Sequence, residues 1–493
     1  MKKIALITGL LVSLTTLAQE RIMVIADPHV LPQSIIDATP DFDNYMQHQR
    51  KMLDLSEPIW YALMDTALKY RPDLLLIPGD LTRDGEPEAH ALVNASLKQL
   101  NEAGIQTLTI PGNHDSQRDY WTDGQFIAEP LKGVTVIGMD AGKNGVLSQQ
   151  TLEWVIAQAD SAVAKGNMII AMCHYQILEH FDKQETMESS CRVQDADRIR
   201  DLFMHHGIHL VLTGHFHVNG ITTYRDTLSA NLDSIVEITT GSPITYPCPY
   251  RWLTISKDRQ HVSVETENLK AIEGIDDLET YSREWMRVHA ANMLPQLALR
   301  AWNKADQAFD ILAAYLGSNI AELLKSCMPT DDSTKIALTE KYFGSTVVEL
   351  YLLHSDANEP EHPEADSLAQ EIYKAMEAMM HELTDEKLGT PSAIQTILIE
   401  TAKDFAREPL QSLVEDRTQW KSARYSDRTD DLHPTLRINL PRTDGVETTP
   451  AQPADGAFYD LLGRPVSKPA SNGVYIHNGQ KIVFVNTTIG VKK

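Results

Sequence analysis

The stretch Leu74-Leu75-Leu76-Ile77-Pro78-Gly79-Asp80 joins an uninterrupted apolar run to a Pro-Gly turn and a carboxylate. A short apolar run bounded by turn residues is typical of a strand that is buried on both faces. Amphipathic helical patterns at Ile59–Tyr70 and Glu88–Ala103 stand on either side of it. Strands that alternate with helices predict an α/β fold built from βαβ units, with helices covering both faces of the sheet. Five further runs share the strand pattern: Ile22–Ala26, Thr107–Ile110, Val134–Gly138, Met168–Met172 and His209–Leu212.

The pattern changes twice along the remainder of the chain. The runs Ile235–Thr239, Trp252–Ile255 and His261–Val264 follow one another without helices, which predicts an antiparallel portion of sheet. From Glu279 to about Arg424, Leu, Ala, Glu, Lys and Met recur at helical spacing, which predicts an all-α domain. We therefore expect an α/β domain over residues 19–270, a helical domain over 271–425, a linker over 426–456 and a small β module over 457–493.

Composition limits the classes of function. The chain of 493 residues carries 44 Lys and Arg against 68 Asp and Glu, a formal net charge of −24. A surface of this sign repels phosphate backbones, so we expect no general nucleic-acid binding. Hydrophobic residues make up 42% of the chain and its mean hydropathy is −0.27, which indicates a globular protein without stable membrane insertion.

The first eighteen residues have the features of a secretory signal peptide. Lys2-Lys3 provide a positive region, Ile4–Leu17 is apolar, and small residues surround a candidate cleavage site after Ala18. An uncleaved membrane anchor or a buried strand is the alternative interpretation. We expect the mature chain to start at Gln19 and to be exported to the periplasm, the cell surface or the medium.

The cysteines do not form a disulfide framework in the sequence. There are only four, at scattered positions, namely Cys173, Cys191, Cys248 and Cys327. After export a single bridge could form, and Cys191–Cys248 is the candidate because both residues flank the motifs described next.

Chemically distinctive residues follow five of the predicted strands. Ligand sites of open α/β sheets lie beyond the carboxyl ends of the strands, so these five loops should meet at one edge. Their carboxylate, amide and imidazole groups are ligands for transition metals such as Mn, Fe or Zn. Seven of them, two Asp, one Asn and four His, are too many for one tetrahedral ion but suffice for two ions that share a carboxylate. The motifs are Asp27-Pro28-His29, Gly79-Asp80, Gly112-Asn113-His114-Asp115, Cys173-His174 and Gly214-His215-Phe216-His217.

These motifs, in this order, resemble the full motif set of the calcineurin-like metallophosphoesterases. The resemblance covers residues 21–269, about half the chain, and implies a β-sandwich with helices on its outer faces. It also implies a hydrolase with a binuclear centre of two divalent or trivalent transition-metal ions. Seven side chains are implied as the ligands: Asp27, His29 and His217 on the first ion, Asn113, His174 and His215 on the second, and Asp80 on both.

The resemblance assigns two further residues to the chemistry. His114 would protonate or steady the leaving oxygen while a hydroxide that bridges the ions attacks phosphorus in line. Asp115 would orient the imidazole of His114. The glycines Gly79, Gly112 and Gly214 are expected to let the loops turn sharply and to let an anionic substrate approach closely.

The substrate class is indicated by one loop. The stretch Gly79-Asp80-Leu81-Thr82-Arg83-Asp84-Gly85-Glu86 resembles the branch that contains bacterial cyclic-nucleotide phosphodiesterases. We therefore expect hydrolysis of a small phosphodiester or nucleotide-like phosphate. The alternatives are a phosphomonoesterase acting on a sugar, lipid or wall phosphate, and a surface binding protein with a vestigial metal site.

The end of the chain carries a second resemblance. Phe458–Val466 followed by Gly473–Ile476 is similar to a type IX secretion sorting domain, which implies secretion machinery as a partner. Asn478-Gly479 between two alternating runs predicts a hairpin in this module. A structural β appendage is the alternative.

Overall fold

The structure is a computed structural model of the chain. It forms two compact units, Met1–Pro441 and Arg442–Lys493. The expected signal peptide, residues 1–18, lies outside the described residues. Those are residues 20–36, 40–115, 125–181, 184–226, 233–316, 318–357, 365–388, 395–396, 399–400, 403, 425–427, 432–439, 458–459, 465–466, 473–477 and 480–484.

Strands dominate the two ends of the described chain and helices the part between them. The strands are β1 (Glu20–Val24), β2 (Leu74–Pro78), β3 (Gln106–Ile110), β4 (Gln125–Leu131), β5 (Val134–Met139), β6 (Met168–Cys173), β7 (Leu210–Thr213), β8 (Gly220–Arg225), β9 (Ser234–Thr239), β10 (Pro249–Ile255), β11 (His261–Asn268), β12 (Tyr425–Asp427), β13 (Thr435–Arg437), β14 (Phe458–Tyr459), β15 (Pro465–Val466), β16 (Gly473–His477) and β17 (Gln480–Phe484). The helices are α1 (Pro40–Gln47), α2 (Ser56–Tyr70), α3 (Pro87–Glu102), α4 (Gln149–Ala164), α5 (Gln184–Met187), α6 (Ala196–His205), α7 (Leu278–Leu316), α8 (Ser318–Cys327), α9 (Asp332–Asp356) and α10 (Ala365–Leu388).

Two sheets build the first unit. One has the strand order β13-β11-β10-β1-β2-β3 and the other β12-β8-β9-β7-β6-β5-β4. In the first sheet β1 runs parallel to β2, with Ile22 opposite Leu74, and antiparallel to β10, with Ile22 opposite Leu253. In the second sheet β5, β6, β7 and β9 are parallel neighbours. Mixed sheets of this kind agree with the predicted change from βαβ units to antiparallel strands.

Successive side chains of each strand point to opposite faces of its sheet, and they form three apolar layers. On β1, Ile22 and Val24 face the core between the two sheets, whereas Met23 and Ile25 join the cluster formed with α2 and α3. The outer face of the second sheet packs in the same way against α4 and α6. Since both faces of the central strands are buried, the strands are apolar without interruption. The expected α/β sandwich flanked by helices is confirmed.

Besides the short β12, two strands of the second sheet, β4 and β8, were not predicted from the sequence. The edge strand β4 contains Glu129 and Pro130, and a proline removes a donor from the ladder. Strand β8, with the sequence GITTYR, is buried except for Arg225, but Ile221 and Tyr224 are its only large apolar residues. Both strands therefore lack the apolar run that marks the others.

An all-α region follows the sandwich, as expected. Helix α7 makes its largest buried contacts with α9, where Met286 and Leu294 pack with Val348 and Leu352. The helix ends at Cys327 and Asp356 fall where loops were predicted. Within the described residues, no helix is long and apolar enough to cross a membrane.

The segment expected as a linker supplies strands to the sandwich. Residues 425–427 pair with β8, and residues 435–437 pair with β11, where Leu436 lies opposite Val262. In the second unit the strand order is β15-β14-β16-β17, a small antiparallel sheet. Strands β16 and β17 pair with His477 opposite Gln480, while the predicted Asn478-Gly479 turn lies outside the described residues.

The four cysteines are free thiols, so the prediction of a Cys191–Cys248 disulfide is wrong. Cys248 is buried in the cluster that α2 and α3 form with the first sheet, whereas Cys191 is the last residue of a short helical turn and is only half-buried. The thiols thus belong to different parts of the sandwich.

Candidate metal centre

The chemically distinctive residues meet at one edge of the sandwich. They lie on the loops that follow β1, β2, β3, β6 and β7, at the carboxyl ends of these strands. Such an edge is where open α/β sheets form their sites. The structure brings together all seven expected ligands: Asp27, His29, Asp80, Asn113, His174, His215 and His217.

Two clusters of possible ligand atoms share one carboxylate. Asp80 belongs to both, and within each cluster the ligand atoms lie within 4.8 Å of one another. Its Oδ2 atom is 3.2 Å from His174 Nε2 and 3.5 Å from His29 Nε2. Asp80 therefore occupies the position that a bridging ligand requires. The first cluster is Asp27, His29, Asp80 and His217, and the second is Asp80, His174 and His215.

Nitrogen and oxygen atoms of different ligands come unusually close to one another. His29 Nε2 lies 3.1 Å from His217 Nε2, and His215 Nδ1 lies 3.1 Å from His174 Nε2. The side-chain oxygen of Asn113, Oδ1, is 3.0 Å from the same His174 nitrogen. Asn113 thus joins the second cluster, as the sequence predicted.

The backbone of the ligand loops is held in an unfavourable conformation. Non-glycine residues seldom adopt positive φ, and each instance costs about 1–3 kcal/mol unless the surroundings enforce it. Hydrogen bonds between loops supply that enforcement: His29 N donates to Asp80 O at 2.9 Å, and His215 N donates to Asp27 Oδ1 at 2.9 Å. The ligands with positive φ are Asp27 (52°), His29 (41°), Asp80 (50°), His215 (66°) and His217 (63°).

The glycines of the motifs make room for the ligands themselves. A Cβ atom on Gly112 would collide with Asp80 Oδ1, and one on Gly214 would collide with Asp27 Oδ2. The sequence suggested that these glycines admit the substrate. In the structure, the space that a side chain would take is filled by the two carboxylates.

Burial leaves most of the imidazoles neutral. It lowers the pKa of His215 to about 3 and brings the pKa values of His29 and His217 well below their usual range. A neutral imidazole keeps a lone pair for a cation at physiological pH. His174 differs, because Asp80 and Asp27 outweigh the effect of burial and raise its pKa to about 9.

The two carboxylates are coupled through the same cluster. Burial raises the pKa of Asp27 to about 7, although the charge of His174 opposes this effect. Burial also acts to raise the pKa of Asp80, but His174 and His29 outweigh it and hold that pKa well below its usual range. Two buried acidic groups this close need positive charge nearby.

Several buried polar atoms of the cluster lack a hydrogen-bond partner. Among the described residues these include Asp80 Oδ2, His29 Nδ1 and His217 Nδ1. An unsatisfied buried polar atom is costly, and native proteins contain few. The Asp80 oxygen, which faces the histidine nitrogens, is the one that a cation would satisfy. The donor set of carboxylate, amide and imidazole groups fits two transition-metal ions.

His114 lies beside the clusters, but the residue that orients it is Asp84, so the prediction of Asp115 is wrong. Its Nδ1 atom donates a 2.9 Å hydrogen bond to Asp84 Oδ1, and its ring meets that of His29 edge-on at a centroid distance of 4.8 Å. Burial acts to lower the pKa of His114, yet Asp84 and Asp80 raise it overall. The sequence assigned the orienting role to Asp115, and Asp84 was not recognised because its motif offers several acidic residues.

Asp115 instead joins two ligand loops. Its Oδ1 atom accepts hydrogen bonds from the backbone and the hydroxyl of Thr82, at 3.0 and 2.8 Å. Its Oδ2 atom accepts from the backbone of Leu81 at 3.1 Å and of Gly112 at 2.8 Å. With both oxygens engaged in this way, Asp115 supports the loop of Asp80 rather than the imidazole of His114.

Comparisons with known proteins agree with this site. Residues 20–219 match the family model described as calcineurin-like phosphoesterase. A probable cyclic nucleotide phosphodiesterase of Rhodococcus erythropolis is 25% identical over 168 residues, which cover 31% of this chain and 54% of the relative. A probable cyclic nucleotide phosphodiesterase of Synechococcus is 28% identical over 177 residues, 32% of this chain and 65% of the relative.

A third relative is named for a different class of phosphodiester substrate. A probable glycerophosphodiester phosphodiesterase of Arcobacter nitrofigilis is 25% identical over 194 residues, which cover 36% of this chain and 65% of the relative. The chain thus covers less than two thirds of the length of each of these three relatives.

Proposed function

We propose that the protein is a metal-dependent phosphodiesterase acting on a small diester or nucleotide-like phosphate, since residues 20–219 match the calcineurin-like phosphoesterase family model. The observation that carries this proposal is the pair of ligand clusters that share Asp80. A binding protein would have no need for two such clusters built on strained backbone.

The seven clustered side chains would hold two metal ions. Asp27, His29 and His217 would bind the first, Asn113, His174 and His215 the second, and Asp80 both. When bound, such ions lower the pKa of water toward neutrality and stabilise negative charge on phosphate oxygens. The chain itself supplies the fixed positions: the loops are joined by backbone hydrogen bonds, so the ligands need little rearrangement.

His114 would act as the acid that protonates the leaving oxygen. Its Nδ1 atom is engaged by Asp84, so Nε2 is the nitrogen that can deliver a proton. A raised pKa keeps a larger fraction of the imidazole protonated at neutral pH. Asp84 fixes the ring and is thus a positioning residue.

The diester class is supported by the names of the relatives, which are phosphodiesterases of cyclic nucleotides and of glycerophosphodiesters. The experiment is a substrate panel on the purified, metal-loaded protein. It compares a cyclic nucleotide, a glycerophosphodiester, bis(4-nitrophenyl) phosphate and 4-nitrophenyl phosphate, with the chelated protein as control. We expect metal-dependent hydrolysis that favours the diesters. Faster turnover of the monoester would replace the diester proposal, and no turnover of any ester would refute phosphoester hydrolysis.

We also propose that the protein is exported. Lys2-Lys3 and the apolar run Ile4–Leu17 support a signal peptide, and the similarity of Phe458–Val466 to a sorting domain supports delivery by secretion machinery. Mass spectrometry of the native protein from fractionated cells tests both. A mature chain that starts near Gln19 outside the cytoplasm is expected, and intact Met1 in the cytoplasmic fraction contradicts export.

A further inference from the structure

A buried lysine lies beside the ligand clusters, outside every motif of the sequence. Lys51 belongs to the segment between β1 and β2, and only 7% of it is exposed. The next residues, Met52 and Leu53, are fully buried in the cluster with α2 and α3. Met52 N donates a 2.8 Å hydrogen bond to Ile244 O, so the backbone beside Lys51 is attached to the sandwich.

The other side of this segment is held by the helical region. Trp285 Nε1 on α7 donates to Gln49 O at 3.3 Å, and Asn292 Nδ2 donates to Gln47 O at 2.8 Å. The neighbouring Arg50 donates to Tyr351 Oη on α9 at 3.1 Å and to Phe216 O, between two ligand histidines, at 3.2 Å. The position of Lys51 is therefore set from both sides.

The ammonium group of Lys51 is without a partner. Within the described part of the chain it makes neither a hydrogen bond nor an ion pair. The segment of Lys51 contacts the loop of His215 and His217, since the adjacent Arg50 donates to Phe216 O, and the charge of Lys51 acts on Asp80, Asp84 and Asp27. Burying an unpaired charge is costly, and proteins seldom do so without a compensating group. Arg50 differs, because its guanidinium is already engaged by Tyr351 and Phe216.

An anion that reaches the centre from outside would supply a partner for this ammonium. If Asp27 and Asp80 bind metal ions, the positive charge of the ions would offset the negative charge of these carboxylates. They would then no longer compensate the charge of Lys51. An ammonium has three donors and no acceptor, and phosphate oxygens are strong acceptors. We propose that Lys51 binds a non-bridging oxygen of the substrate's phosphoryl group and so contributes to substrate affinity. This inference rests on the proposed phosphoesterase function.

The test measures phosphate binding and kinetics separately. Inorganic phosphate is titrated by calorimetry into the metal-loaded wild type, Lys51→Met, Lys51→Gln and Lys51→Arg, and KM and kcat are measured with bis(4-nitrophenyl) phosphate. Hydrogen bonds to charged groups contribute enough for a change of about 10- to 100-fold. We expect Lys51→Met and Lys51→Gln to weaken phosphate binding and raise KM by this factor, with metal content unchanged. Lys51→Arg should retain most of the affinity.

Lys98→Met is the matched control, since Lys98 is exposed on α3 and pairs with Glu102 on the same helix. It should bind phosphate as the wild type does.

Equal phosphate affinity in the wild type, Lys51→Gln and Lys51→Arg would overturn the proposal. A loss of metal in Lys51→Gln that Lys51→Arg restores would also overturn it, because Lys51 would then support the ligands. If Lys51→Met does not fold, the Gln and Arg variants decide. Absence of hydrolysis by the wild type would refute the proposed function instead, while calorimetry still tests Lys51.

Discussion

The imidazole of His114 and the carboxylate of Asp84 form a 2.9 Å hydrogen bond between Nδ1 and Oδ1. The pair joins the loop after β3 to the loop after β2, the two loops that also carry Asn113 and Asp80. Because the carboxylate favours the protonated ring, it opposes the effect of burial and leaves the pKa of His114 raised. The pKa of His114 is therefore raised by a residue from another loop, so the acid role proposed for His114 can be tested by changing Asp84.

Asp84→Asn should shift the pH dependence of hydrolysis. The amide can still accept a hydrogen bond but carries no charge, so the pKa of His114 falls and less of the ring is protonated at neutral pH. The alkaline limb of kcat/KM for an alkyl diester should move to lower pH by about one unit. Asp160→Asn is the control, because Asp160 forms a similar 2.7 Å contact with His206. An unchanged alkaline limb in Asp84→Asn would show that His114 does not titrate in this profile.

His114→Ala should slow hydrolysis according to the leaving group. General-acid catalysis typically contributes about 10²–10⁴-fold, and it matters most for a strongly basic leaving oxygen. The variant should lose this factor on an alkyl diester and much less on a nitrophenyl diester, with metal content near that of the wild type. Equal losses on both esters, with metal retained, would indicate that His114 only stabilises charge. Asn113→Ala, one residue earlier, should lower metal occupancy instead.

Asp80→Asn should reduce the metal content of the protein. The wild type should hold about two transition-metal ions per chain by elemental analysis, since Asp80 is common to both clusters. An amide has one oxygen for coordination and no charge, so both ions should bind more weakly. Asp160→Asn again serves as control. A wild type with one ion or none contradicts the binuclear assignment.

Gly112→Ala should damage the centre without removing a ligand. The added methyl group would collide with the side chain and backbone of Asp80, which forces that residue from its place. We expect a lower melting temperature and lower metal occupancy, measured by thermal unfolding and elemental analysis. Gly344→Ala, in helix α9 with only Leu294 at the edge of contact, should leave both values near those of the wild type or slightly raise stability. A stable, fully metal-loaded Gly112→Ala would show that the loop can move to accommodate the methyl group without displacing Asp80 as a ligand.

The order of strands and ligand motifs was accessible from the sequence because it is local. Each apolar run marks one buried strand, and each motif follows its run within a few residues, as at Ile77 and Asp80. The sheet rule then places the ends of parallel strands at one edge. Strands β8 and β4 were missed by this reasoning, since the polar residues of β8 and Pro130 in the edge strand β4 hide the pattern.

Contacts between distant segments were decided only by the tertiary structure. Nothing near Asp84 distinguishes it from Asp115 as the partner of His114, because the choice depends on how two loops approach each other. Lys51 lies outside any motif, and its position follows from burial of Met52 on one side and from α7 on the other. Residues 435–437 likewise become a strand only through pairing with β11. Local sequence encodes secondary structure and ligand chemistry, whereas such pairings depend on packing across hundreds of residues.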